Sequence, residues 1–210
     1  MFGFSVPAGD IGLPHGAHDS MLALSEDGDY WRTKTDSIQH EISDLGLHMQ
    51  WLPWPDVAIE TWLIPAFPWH VRIHRIKTSR RLIAAEGGFA ASCNDEVLRA
   101  GGKSEAGVGF AHCIAPPLAS GIRDLAQKRV GEIIEALPNT NLLFPKSRIP
   151  TLKSELEPGE HWLHTAVLGT ATIAEFENHW PQPPRVSRES DGLAVFDSVT
   201  NSRLFFLKEQ

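Results

Sequence analysis

From Trp69 to Lys77 the chain reads Trp-His-Val-Arg-Ile-His-Arg-Ile-Lys, and the alternation fixes an extended backbone. Successive side chains on a strand point to opposite faces, so His70, Arg72 and His74 share one face while Trp69, Val71 and Ile73 share the other. A strand with a cationic ladder on one side and an apolar ladder on the other needs a sheet to hold it. With Glu60 in the stretch just before, residues 59–77 form the part of the chain that most resembles a recognition surface.

The rest of the chain follows the same logic. Residues 2–7, 20–25, 30–35, 57–64, 81–85, 108–115, 142–144, 149–152 and 161–168 read as short strands, punctuated by Gly, Pro and Asn turns. The Asp27-Gly28 pair signals a hairpin between residues 20–25 and 30–35, and residues 193–199 and 203–207 bracket a closing hairpin. Residues 38–47 suit neither the strand nor the helix period. Residues 51–55 are expected to be irregular, because Pro53 and Pro55 remove ladder donors, and Pro65 and Pro68 break the chain before the His-Arg-His strand. Residues 121–137 fit a helical stripe or a hairpin; Gly131 sits in mid-pattern, and propensity slightly favours the helix. Residues 171–180 fit a short helix and 181–184 a linker. A dozen or so short strands with little helix is an all-β pattern, and its commonest solution is a large antiparallel β-sandwich spanning residues 1–210 as one domain.

Composition excludes several classes of function. A formal charge of −7 argues against a general nucleic-acid or anionic-membrane binder, which needs a net basic face. No apolar run is long enough to span a bilayer and the first residues carry no export signal, so a cytoplasmic location is the default. Cys93 and Cys113 have no metal-binding spacing and read as reduced thiols. Nucleophile-elbow, P-loop, dinucleotide and zincin motifs are all missing, and no cofactor is expected.

What remains is the ladder and the tryptophans. Arg72 between two imidazoles argues against a metal, since a guanidinium adds positive charge and offers no lone pair. An anion fits better: the planar fork of Arg matches a carboxylate, and His70 and His74 can donate beside it, as a uronic acid would require. The competing reading pairs the ladder with Glu60 or an Asp on the next strand, or with another domain. Seven Trp stand against one Tyr, and Trp51, Trp54, Trp62 and Trp69 fall within twenty residues, which suits either sugar stacking or a core. The candidate substrate-binding set is therefore His70, Arg72, His74, Glu60 and Trp69, with Glu60 expected beside Arg72. Glu60 and Glu86 are the carboxylates most embedded in apolar sequence, but no catalytic acid or base can be assigned.

Residues 2–7, Asp19 to Leu24 with Gly28, Glu60-Thr61-Trp62, the segment from Trp69 to His74, Gly87-Gly88-Phe89-Ala90 and Pro138-Asn139-Thr140-Asn141 together resemble the C-terminal half of domain-of-unknown-function family 2264. The resemblance spans nearly the whole chain in one order. It departs at Pro145-Lys146-Ser147-Arg148, where the family pattern has an arginine directly after the proline. It implies a heparinase II/III-like architecture, in which an N-terminal helical toroid carries the main cleft and a β-sandwich flanks it, and a link to glycoside hydrolases acting on β-glucuronosides. On that basis residues 121–137 should form a hairpin. The chain would then be a sandwich domain of a uronic-acid-directed enzyme, inactive alone, with the toroid as its partner. A carbohydrate-binding module for acidic oligosaccharides and a docking domain are the alternatives.

Overall fold

The computed structural model describes residues 22–27, 38–87, 99–104, 106–114, 136–138, 148–169, 178 and 182–208. They form strands β1 (Leu22–Ser25), β2 (Ile38–Ser43), β3 (Gly46–Trp54), β4 (Val57–Ala66), β5 (Trp69–Thr78), β6 (Leu82–Gly87) and β7 (Arg99–Ser104). The chain continues through β8 (Gly107–Ile114), β9 (Ala136–Pro138), β10 (Arg148–Leu156), β11 (Gly159–Gly169), β12 (Arg185–Glu189), β13 (Gly192–Phe196) and β14 (Arg203–Lys208). The all-β sandwich expected from the sequence is what forms.

Three sheets build it. One has the order β1-β6-β10-β9, the largest runs β2-β3-β4-β5-β11-β8-β7, and the smallest is the meander β12-β13-β14. The large sheet lies in the middle. On one of its faces Trp51, Val57, Ile59, Ile76 and Leu163 meet Leu22, Leu24, Leu82, Ala84 and Leu156 of the four-stranded sheet. On the other, Trp62, Ile64, Val71, Ile73 and Trp162 meet Leu193 and Val195 of the meander, with Phe205 and Leu207 packed alongside. The strands are antiparallel except for β8 and β11, which pair in parallel. Parallel neighbours need a crossover, and here it runs through β9 and β10 of the facing sheet.

Several local expectations change. Residues 38–47 suit neither period because they straddle a hairpin, with Asp44 and Leu45 turning β2 into β3. Gly46 makes that turn possible: its φ is +125°, and a Cβ there would lie 2.0 Å from the Leu63 carbonyl oxygen. Residues 51–54 stay in β3, and the irregularity expected around Pro53 is a register shift between Trp51 and Trp54 inside a continuous strand. Pro65 does not end β4, which continues to Ala66 with Pro65 opposite His70. β7 and β12 are strands beyond those the sequence predicts; Gly101 and Gly102 weaken the strand pattern of the first. The closing hairpin forms as expected, with Asn201 at φ 53° and the Asp197 amide donating to the Ser202 carbonyl over 2.9 Å. The strands expected at residues 2–7, 30–35 and 142–144 lie outside the described residues, as do residues 121–135 of the expected hairpin and nearly all of the helix expected at 171–180.

Candidate functional site

The alternation read in β5 is present, but its cationic ladder is not a surface. His70, Arg72 and His74 are 9%, 2% and 3% exposed, because this face of β5 looks into the space between the two larger sheets. Buried ions and imidazoles are tolerated only with partners, and all three have them. One such contact is the 2.8 Å hydrogen bond between Thr61 Oγ1 and His74 Nδ1.

Glu60 lies on the opposite face. It stands across from Arg75, not Arg72, with Arg75 Nη1 3.4 Å from Glu60 Oε1. Trp69 shares that face but is a core residue, 5% exposed and opposite Ala66 and Leu168. The expected five-residue set is thus divided between two faces, and its members do not form one site. Glu86 is in β6, opposite Leu22 and Leu152.

Register gathers a different group. Gln50, Glu60, Arg75 and Trp162 stand in one row across β3, β4, β5 and β11. The neighbouring row on the same face is His48, Trp62, Ile73 and His164, and beyond the first row come Ala58, Lys77 and Glu160. Where the meander stops covering these rows a groove of about 570 Å³ opens, closed on one side by Leu207 and Lys208 of β14. A cavity of about 150 Å³ adjoins it at His48 and Trp62, and another of about 320 Å³ at Gln50, Glu60 and Lys77.

An aromatic column supports the groove. His48 stacks on Trp62 at 4.8 Å and 3°, and Trp62 lies 6.0 Å from Trp162 at 20°. The guanidinium groups of Arg75 and Arg188 sit 5.5 and 5.8 Å from the Trp162 ring. Both indoles are less than a tenth exposed, so their faces are spent on one another. A ligand in the groove would meet their edges and the polar groups around them.

Those polar groups form one network about Arg75. Its Nη2 donates to Glu160 Oε2 over 2.8 Å, and Trp162 Nε1 donates to Glu160 Oε1 over 3.2 Å. Lys77 Nζ is 3.5 Å from Glu160 Oε2. Glu60 Oε2 accepts from Gln50 Nε2 at 3.5 Å and lies 3.4 Å from His48 Nε2. Burial alone would raise the Glu160 carboxyl, but the hydrogen bond and charge of Arg75, with Lys77 beside it, hold it below its ordinary value. Glu160 is therefore a carboxylate at neutral pH and cannot act as a general acid there. Among the described residues no three His, Cys, Asp or Glu side chains converge as metal ligands.

Sequence reading missed His48, Gln50, Arg75, Trp162, Glu160 and Lys208 as a group. The alternation of residues 161–168 already placed Trp162 and His164 on one face, but only sheet order brings that face beside Glu60.

No curated protein and no solved structure matches the chain. The family profile of the DUF2264 C-terminal domain matches residues 1–190, taking in every described strand up to β12. With nine-tenths of the sequence covered by that match, the chain belongs to the DUF2264 C-terminal domain family.

Proposed function

We propose that this sandwich is the saccharide-contacting, non-catalytic domain of a carbohydrate-active enzyme, directed at uronic-acid sugars. The observation that carries the reading is the groove row Gln50, Glu60, Arg75 and Trp162, which sets an amide, a carboxylate, a guanidinium and an indole side by side over about 570 Å³. Dense donors and acceptors beside an aromatic edge are what hydroxyl-rich rings require. Three cations, Arg75, Lys77 and Lys208, stand against two carboxylates, Glu60 and Glu160, and that excess of one positive charge in a chain of net charge −7 adds attraction for an acidic sugar. Glu160 is held ionised, which suits it to accepting hydrogen bonds from sugar hydroxyls, and in this reading the helical toroid that the family resemblance implies would carry turnover.

Calorimetry of the isolated chain with uronate-containing oligosaccharides tests this. Binding is expected, weakened at least tenfold by Gln50→Ala, with no hydrolysis of aryl β-glucuronides. Absence of binding to any oligosaccharide, or turnover that survives repurification and is abolished by one point mutation, overturns it.

A docking role has one observation of its own. All six residues of β2 are exposed, Ile42 at 76% and Ile38 at 47%, and this strand forms the rim nearest the 150 Å³ cavity through Glu41 and Ser43. Double substitution Ile38→Lys and Ile42→Lys would leave saccharide binding intact and weaken association with the helical partner.

A further inference from the structure

The cations lining the groove are not equivalent. Arg75 is engaged by two carboxylates, Glu60 at 3.4 Å and Glu160 at 2.8 Å. Lys77 shares Glu160 at 3.5 Å. Lys208 lines the same groove, is exposed, and has no carboxylate partner among the described residues. An anion entering the groove thus meets two cations that are already compensated and one that is not.

The backbone holds Lys208 in that position. β14 pairs with β13 so that Lys208 stands opposite Gly192. A Cβ on Gly192 would lie 1.9 Å from the Leu207 carbonyl oxygen and 3.1 Å from Lys208 Cα, so only glycine permits this approach. Leu207 is anchored against the core shared by the meander and the large sheet, which fixes the strand at the groove edge. The family match ends at residue 190, before β13 begins at Gly192. The strand carrying Lys208 therefore lies beyond the matched region.

We infer that Lys208 determines the groove's preference for an anionic group on its saccharide, and that the hairpin β13–β14 is the element through which this chain sets that preference. The inference rests on the saccharide-binding reading above. An ammonium ion on a flexible stem recognises charge more than shape, so a carboxylate and a sulfate ester would both satisfy it.

The test is calorimetry of the whole chain with three oligosaccharides: one bearing a uronate, one a sulfate ester, and one uncharged but otherwise matched. Lys208→Gln should weaken the anionic ligand about tenfold, the scale of one charge-assisted hydrogen bond, and Lys208→Glu more. Lys208→Arg should restore affinity, and the uncharged ligand should be unaffected throughout. The anionic ligand that responds to Lys208 names the group recognised. Equal losses for charged and uncharged ligands, or no loss in Lys208→Glu, overturn the inference and leave the binding function standing. Failure of the unmutated chain to bind any of the three overturns both.

Discussion

Arg75 stands directly opposite Glu60 in the β4–β5 ladder, Nη1 to Oε1 3.4 Å, and reaches Glu160 on the far side at 2.8 Å. One guanidinium on the lining of the groove therefore spaces two carboxylates, of which Glu60 lines the groove and Glu160 lies behind it. Arg75→Met should cost about 1–3 kcal/mol by removing a charge-assisted partner from each acid. Titration of Glu160 should move upward, since burial would no longer be opposed by Arg75. Urea unfolding and a carboxyl NMR titration check the two halves. An unchanged Glu160 titration would contradict the network.

Arg72 lies three residues before Arg75 in β5 and on the opposite face of the sheet. It is 2% exposed within the sandwich, so Arg72→Ala should destabilise by about 2–4 kcal/mol, because it empties a buried site and removes the contacts the side chain makes there, and should lower soluble yield. If Arg72 were a surface recognition residue, the same substitution would abolish binding at unchanged melting temperature. Thermal unfolding of the purified variant separates the two outcomes.

The difference between Arg72 and Arg75 shows how far a sequence of this kind can be read. Period-two alternation found β5, both of its ladders and the chain's all-β class, because those depend only on side-chain direction along one strand. Which ladder is covered depends on sheet order, and that is set by contacts far apart in the chain: β1 and β6 seal the Arg72 face, and β13 and β14 partly seal the other. The partner of Glu60 was within reach. Phe67 and Pro68 form a two-residue turn pairing Ala66 with Trp69, and counting back from that pair along both strands leads from Glu60 to Arg75. Pro65, a strand breaker by propensity, hides that count because it stays within the ladder opposite His70. Trp162 and Lys208 lie beyond reach, since β11 joins β5 across more than 80 residues of sequence and β14 comes to the groove only by packing of the separate meander on the large sheet.

Gly107 ties the groove to its support. Its φ is +112°, and a Cβ there would lie 2.3 Å from the Trp162 carbonyl oxygen. Gly107→Ala should cost about 2–4 kcal/mol through backbone strain and the displaced β11 strand. Because Trp162 holds Glu160 through its Nε1, saccharide binding should fall together with stability. Near-native unfolding and binding in this variant would mean that β8 and β11 approach less closely than described.

His164 gives the fold an acid limit. It follows Trp62 and Ile73 in the row beside the groove, and its Nε2 is buried with no hydrogen-bond partner among the described residues. Burial lowers its pKa from 6.5 to about 4, so the folded chain holds it neutral while the unfolded chain protonates it from about pH 6.5 downward. Between those values the unfolded state binds more protons, and stability must fall as pH falls. This contribution is fully present above pH 6.5, declines toward pH 4, and is worth about 3 kcal/mol at most. Glu160 acts in the same direction at lower pH: its depressed carboxyl contributes above its ordinary value of 4.5 and is lost as the pH drops through the folded value. Urea unfolding at pH 7 and pH 5 confines the change to histidines, because carboxylates remain largely ionised across that interval, and substitution of His164 then separates it from the other nine. His164→Phe should flatten the difference between the two pH values while retaining most of the stability at pH 7. A difference that persists in His164→Phe would assign the acid sensitivity to another group.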